Sequence, residues 1–524
     1  MFPNYFKLSV APGTLAHDSV TLIWDKPTEY HQVLGYQLFQ NGQPIIFRPT
    51  NKTHFTVRNL QPKTRYQFTL QMQGVSQEKP MTLTIITKET PVVIDVTKDP
   101  YEVDCTGKKL ATNYLQQAID DCPKDGIVWI PSKTNVLSGA LQLKSNMTLQ
   151  VDGVLQGSLN PADYISTNSN QGMKNEDQLI LSRYEGWELF CYRSLLNAGF
   201  IMPENRQQIT CENIRICGQG KIIGGGNELA TEMKKIYQDK KLYPKYVSDG
   251  LGGRRVRGRL ICFSQCKNVH LTQVTLEKPS GWTVHLIYCD TVTTHGLAIH
   301  SKGIDNGDGW DPDSSKNCLI FDTTFDTGDD CIAIKSGKNP EGNQINIPAE
   351  NIRIFDLQMQ GGNGMAIGSE ESGGIKNIYI RDCHIENTRY GLEVKAHCDR
   401  GGYLDNLLVL DCRLDHFLVH SVKYNSDGFP AENLPIFKNI TLKNSEIISP
   451  QKAVELTGFY KNTEQKSYLK NIVLENIILQ QNNNQLPEVA VNLCQDVYFK
   501  NIKTIQGTKL LLNLGEDNRN LVFN

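Results

Sequence analysis

The chain has 524 residues, 39% of them hydrophobic and 21% charged, which is too long for one ordinary compact domain and too apolar for a low-complexity or coiled-coil chain. Lys plus Arg number 54 against 56 Asp plus Glu, so there is no overall basic excess of the kind a nucleic-acid binder carries. Mean hydropathy is −0.38 and no run of about 18 apolar residues occurs, which excludes a helical membrane span.

The first residues, Met-Phe-Pro-Asn-Tyr-Phe-Lys, lack the charged start and the ~7–15-residue apolar stretch of a secretory signal. None of the 14 cysteines falls in a CxxC pair, and Cys262, Cys289, Cys318, Cys331, Cys383 and Cys412 sit in strand-like runs. Buried free thiols acting as small apolar side chains explain them better than disulfides. The expectation is a cytoplasmic protein, or a secreted or periplasmic one if a signal was removed.

Residues 1–90 alternate apolar and polar side chains in about seven short runs. These include Ser19–Trp24, Gly35–Phe39 with the hairpin signal Asn41-Gly42, His54–Val57, Arg65–Leu70 and Met81–Ile86. This pattern predicts a β-sandwich. Trp24, Tyr36 and the stretch Asn59–Tyr66 resemble a fibronectin type III module, with Tyr66 as its corner tyrosine. Such a module implies a spacer or docking surface and no chemistry. Residues 91–95 read as a linker.

From residue 96 to 524 a phrase of Asn followed by alternating aliphatics recurs. It starts at Asn146, Asn213, Asn268, Asn317, Asn351, Asn377, Asn406, Asn439, Asn471 and Asn501, with spacings of 34, 26, 29, 33 and 32 from Asn317 to Asn471. An apolar period of two with a 20–50-residue repeat predicts a parallel β-helix, an all-β solenoid whose asparagines bond their copies on neighbouring coils. Leu110–Ala118 reads as a short amphipathic helix capping the N-terminal end of the stack. The stretch from Glu176 to Arg257 is longer than plain coils require and reads as loops walling off one end of a cleft.

One region breaks the aliphatic pattern. Asp305-Asn-Gly-Asp308-Gly-Trp310-Asp311-Pro-Asp313 is followed, 21 residues after Asp308, by Asp329-Asp330. That offset is close to one coil, so Asp308 should lie beside Asp329 and Asp330. Clustered carboxylates spread their pKa values, keeping one protonated while neighbours ionise, as glycoside hydrolysis requires. A solvated acidic turn or a calcium site is the alternative. Strict alternation would point Asp329 and Asp330 to opposite faces, so Gly328 is expected to let the chain enter the strand irregularly.

At these residues the chain resembles glycoside hydrolase family 28, the polygalacturonases and their relatives. The resemblance rests on Pro161–Tyr164, Gly281–His285, Asp308–Asp313, Gly328–Gly337 and Gly368–Gly374, and spans roughly residues 96–524. It implies a right-handed parallel β-helix, hydrolysis of pectic substrates with inversion, and no metal or cofactor. Asp329 would be the general acid, and Asp308 and Asp330 the carboxylates that activate water.

Three positions depart from the family. Asn306-Gly307-Asp308 stands for Asn-Thr-Asp, Gly362-Asn363-Gly364 for Gly-His-Gly, and Glu393-Val394-Lys395 for Arg-Ile-Lys. Asn363 can hydrogen-bond but cannot carry a proton. The family arginine and lysine hold the carboxylate of the leaving sugar. An anion at 393 would suit a neutral sugar better, which predicts cleavage at galacturonate–rhamnose bonds of rhamnogalacturonan. The competing reading keeps polygalacturonan as substrate, with Arg389 or Arg400 replacing the missing arginine. Arg255, within the cluster Arg254–Arg259, is a further candidate for the anionic sugar, and Trp282, Trp310, Tyr288 and Tyr390 for stacking on sugar faces. His285, His384, His397, His416 and His420 show no metal-ligand spacing. A β-helix polysaccharide lyase using calcium and a non-catalytic sugar-binding solenoid are the rival classes. The oligomeric state is not legible.

Overall fold

The computed structural model describes residues 7–27, 30–74, 80–166, 171–424, 427–449, 452–481, 488–505 and 510–524. Most of the opening stretch Met1–Lys7 thus lies outside the described residues. The chain divides into two compact units, residues 1–93 with 125–127, and residues 94–124 with 128–524.

Among its described residues the first unit has seven strands in two antiparallel sheets. One joins Ser9–Val10, Val20–Ile23 and His54–Val57, and the other Gly35–Gln40, Gln43–Pro44, Arg65–Gln73 and Met81–Ile86. Inward residues of both sheets share one core, with Trp24 and Tyr36 edge to face at 5.7 Å and Leu38, Phe68 and Leu70 fully buried. Asn41 and Gly42 both take positive φ (49° and 82°), the conformation that lets a two-residue turn follow the strand twist. The Tyr66 hydroxyl accepts a hydrogen bond from the Gln61 backbone N–H at 2.9 Å, tying the strand to the turn before it.

The second unit is a parallel β-helix. A 12-stranded parallel sheet runs from Leu141–Leu143 to Leu511–Leu514, while the larger sheet supplies the other walls of each coil. The coil Ile261–Ser264, Cys266–Thr272, Thr275–Glu277 is representative. Its inward residues Ile261, Phe263, Val269, Leu271 and Leu276 join one aliphatic core that extends to Phe499. All ten recurrent asparagines take the left-handed conformation, φ 54° to 70°, at the corner where each coil bends. Asparagine tolerates this better than other L-residues, because its short amide bonds locally. Asn213 donates to Asn146 at 2.8 Å, Asn268 to Asn213 at 2.7 Å, Asn377 to Asn351 at 3.1 Å and Asn406 to Asn377 at 2.8 Å. The ladder is not wholly asparagine: Asn317 donates to Asp290 and Asn439 to Asp405, each at 2.7 Å.

The capping helix spans Thr112–Asp121 rather than 110–118, because Leu110 ends the preceding strand; Leu115, Ala118 and Ile119 are its buried face. The segment 176–257 is more regular than a set of loops. It contains a hairpin (Ile180–Tyr184 with Trp187–Cys191), a further coil (Leu196–Gly199, Cys211–Cys217, Lys221–Ile223) and a helix, Gly226–Lys234. These insertions explain the long gaps between Asn146, Asn213 and Asn268. Among the described residues no helix is long and apolar enough to cross a membrane.

Candidate active site

The site lies where the 12-stranded sheet loses its regularity. Strand Trp310–Asp313 pairs with strand Asp330–Ile334, placing Trp310 opposite Ile332, while the Gly309 N–H donates to the Asp330 carbonyl at 2.9 Å. The coil here spans 22 residues, one more than the offset from Asp308 to Asp329, so Asp308 stands beside Asp330 on the adjoining coil. The pairing register shifts between Asp330 and Ile332. Asp329 precedes the strand, so strict alternation does not apply, and both carboxyl groups reach one cleft of about 230 Å³ that Asp308 also lines.

Asp329 is surrounded by donors. The Asn363 amide donates to its Oδ1 at 2.6 Å, the Asp330 N–H to the same oxygen at 3.0 Å, and the Asn306 amide to Oδ2 at 3.2 Å. Arg257, fully buried, fixes which way Asn306 points. Its guanidinium donates to Asn306 Oδ1 at 2.7 Å, and since a guanidinium cannot accept, only the amide N–H₂ remains to face Asp329. Asn363 thus makes the hydrogen bond open to an amide at the position of the family histidine.

The other carboxyls are deeper. Burial, then the nearby charges of Asp311 and Asp329, push Asp308 well above the usual carboxylate range. Burial and then Asp329 push Asp330 up to about 6, against the pull of Lys395. Asp311 rises to about 8, chiefly through burial. The cluster thus retains protons at pH values where isolated carboxyls have lost theirs.

Two lysines offset the remaining charge. Lys335 Nζ lies 3.5 Å from Asp308, 3.6 Å from Asp311 and 3.9 Å from Glu370, and 4.6 Å above the Trp282 ring. Lys395 Nζ lies 2.7 Å from Glu393 and 3.7 Å from Asp330. Glu393 also meets His420 Nε2 at 2.9 Å, and His420 Nδ1 lies 3.5 Å from Glu455. Burial would favour neutral His420, but the two carboxylates outweigh it and raise its pKa to about 9. Burial likewise works against the Glu393 anion, yet His420 and Lys395 hold its pKa below the usual range.

Several expected contacts are not made. Trp310 is fully buried in the aliphatic core, its indole N–H donating to Thr294 at 3.2 Å, because residue 310 falls on the inward phase of its strand. Arg255 spans Glu185 at 2.7 Å and Asp427 at 2.5 Å and stacks on Trp187, so it braces the wall instead of lining the cleft. Arg254 pairs with Asp249 and Asp305, and Arg259 donates to the Arg183 carbonyl. Arg400 is buried against the Ser369 carbonyl and Asn339 Oδ1. Tyr288 is buried with its hydroxyl on Glu188, 2.7 Å away. Glu393 does not line the cleft, whereas Asn306, Asn363, Tyr390 and Lys395 do.

The cleft also holds residues that no sequence signal marked as site residues: Glu185, Asp249 and Tyr424, with Glu370 inside a motif but unassigned. Trp282 is both wall and core, lining the cleft while stacked on Tyr184 at 4.7 Å. A divalent cation among these carboxylates would have to displace two ammonium groups, so the chemistry on offer is proton transfer. Outside the cleft, His397, Cys398 and Asp399 lie within metal-ligand reach of one another, but Lys461 already pairs with Asp399 at 2.9 Å.

A parallel β-helix presenting three convergent carboxyls beside two lysines defines a glycoside hydrolase of the solenoid class. Residues 205–416, which contain all three of those carboxyls, match the family described as glycosyl hydrolases family 28. The chain is 25% identical to the exo-poly-α-D-galacturonosidase of Dickeya chrysanthemi over 85% of its own length and 83% of the relative's. Its fold matches the family 28 exopolygalacturonase of Yersinia enterocolitica with a TM-score of 0.83 at 24% identity, covering 99% of both chains. The exopolygalacturonase of Thermotoga maritima matches with a TM-score of 0.63 at 24% identity, over 80% of this chain and 91% of that one.

Proposed function

We propose that the protein hydrolyses pectic α-galacturonosides with inversion, releasing galacturonate from the non-reducing end. The observation that carries this reading is the convergence of Asp308, Asp329 and Asp330 in one cleft of a family 28 domain. Asp329 gives its proton to the glycosidic oxygen as the C1–O bond breaks. Asp330 takes the proton of the water that attacks C1 on the opposite face, with Asp308 beside it to orient that water.

Exo action is supported by Glu185 and Asp249, which the inserted hairpin and the turns before Arg254 bring into the cleft, and by the name of the Dickeya chrysanthemi relative. Glu393 pairs with Lys395 and His420, which takes the leaving-side lysine out of play, as a neutral leaving sugar such as rhamnose would allow. Arg389 still lines the cleft, so galacturonate on both sides of the bond is the reading preferred here. Product analysis on defined oligogalacturonides and rhamnogalacturonan oligosaccharides tests the reading. Galacturonate released one unit at a time from oligogalacturonides is expected; faster release from the rhamnose-linked series would reverse the substrate, and rapid loss of polymer viscosity would reverse the exo assignment.

All fourteen cysteines are free thiols, twelve of them buried, which supports a reducing compartment as the place of work. Recovery of the active protein from the culture medium of its producing cells would argue against that placement. We also assign residues 1–90 as a fibronectin type III-like spacer without chemistry; loss of kcat in a chain with its surface charges altered would oppose this.

A further inference from the structure

We propose that Arg389 is the specificity-determining cation of this enzyme, binding the carboxylate of the sugar on the leaving side of the scissile bond. The inference rests on the galacturonoside reading above. Lys335, Arg389 and Lys395 are the cationic side chains lining the cleft. Lys335 is enclosed by Asp308, Asp311 and Glu370, and Lys395 by Glu393 and Asp330. Neither has charge to spare for an anionic ligand. Arg389 is exposed, lines the cleft and has no carboxylate partner among the described residues.

Its position is built. The Arg389 N–H donates to the Gly362 carbonyl at 2.9 Å, and the Tyr390 N–H to the Asn363 carbonyl at 3.0 Å. Arg389 and Tyr390 therefore sit one coil beyond Gly362 and Asn363, and the Asn363 amide is the group that holds Asp329. That is the side on which a leaving sugar protonated by Asp329 departs. The turn is fixed from below, where Thr388 N–H and Oγ1 both donate to Asp415 Oδ2, at 2.7 and 2.8 Å. The guanidinium lies 4.9 Å from the centre of the Tyr390 ring, a cation–π stack that orders a long side chain while leaving its N–H edge free. A planar, permanently charged fork matches a carboxylate through two parallel hydrogen bonds. Tyr390 beside it offers an aromatic face to the same sugar.

The consequence is a relocated anchor. In this chain the side chain at 393 is spent on the Lys395–His420 network, and the guanidinium stands four residues earlier, on the preceding turn.

The test compares trigalacturonate with the same trisaccharide carrying a methyl ester on the leaving-side residue that contacts the scissile bond. Arg389→Gln is expected to lower the selectivity for acid over ester, measured as the ratio of kcat/KM values, on the order of 10- to 100-fold. The loss should fall on KM more than kcat, Arg389→Lys should recover part of it, and the salt dependence of KM on trigalacturonate should weaken in Arg389→Gln. An unchanged ratio, or equal loss on both substrates, overturns the proposal while leaving the hydrolase reading intact. Wild-type enzyme that cleaves acid and ester equally well also overturns it. Failure of the wild type to cleave either substrate would instead overturn the galacturonoside reading itself, and the proposal with it.

Discussion

The asparagine corner and the carboxylate cleft occupy the same coils and obey opposite rules. At the corner, asparagines recur in one repeated backbone conformation, and most of their amides satisfy each other on neighbouring coils. Around the cleft no rung repeats the next: Asp308, Asp330, Asn363, Lys395 and His420 succeed one another, and the register slips where Asp330 enters the sheet. Regularity holds the stack together, and a local departure from it gathers charge. The two regions should therefore respond to mutation in opposite ways, one in stability and the other in rate.

The largest separation is expected from Asp329→Asn. Loss of a positioned acid should lower kcat by about 10²- to 10⁴-fold with unchanged thermal stability, and a galacturonoside with a good leaving group should be hydrolysed with a smaller deficit. An equal deficit on both substrates would take the acid role away from Asp329. The cleft should also show in pH dependence. Asp330 must be ionised to activate water, and its pKa lies at about 6, so kcat/KM should rise as pH increases through about 6. A rise centred near the ordinary carboxylate range would argue that the cluster is less buried than its geometry indicates.

His420 stands beside the cleft and bears on stability through the charges that set it. Its folded pKa of about 9 lies above its ordinary value of 6.5, so its contribution is complete below about 6.5 and is lost as pH rises through about 9. The melting temperature should fall across that window, by an amount on the order of 2 kcal/mol in stability, and His420→Gln should flatten the slope. A wild-type melting temperature that is level from pH 6.5 to 9 would show that His420 is not charged in the native state. The smallest effect is expected at the corner. Asn377→Ala, at φ 58°, should cost about 1–2 kcal/mol with little change in kcat, and Asn377→Gly should cost less because glycine accepts the conformation. Equal losses in the two variants would mean that the amide bond outweighs the backbone geometry.

The same contrast explains what the sequence revealed. The ladder is legible because most rungs announce themselves with an Asn and an aliphatic alternation, all local. Asp308, Asp329 and Asp330 are legible because their offset approximates a coil. Trp310 misleads because a motif gives its neighbours but not the phase in which its strand faces the core. The arginines 254–259 mislead because their partners are far away in sequence: Arg255 meets Asp427, 172 residues on, and Arg257 meets Tyr184, 73 residues back. A run of positive charge looks like a surface until the acids that neutralise it are in place. Glu185 and Tyr424 carry no sequence signal, since only the insertions and the later coils bring them to the cleft.

The cleft is carried by the fifth to ninth strands of the twelve in its sheet, so every functional rung has a neighbour above and below. A linear array of this kind loses cooperativity in steps, its outer units opening before its inner ones. Hydrogen exchange should therefore be fastest at the outermost strands of the sheet and slowest around Asp308–Asp330. Mild heating or denaturant should reach a range in which some secondary structure is lost while turnover persists, so that inactivation would understate the extent of unfolding already under way.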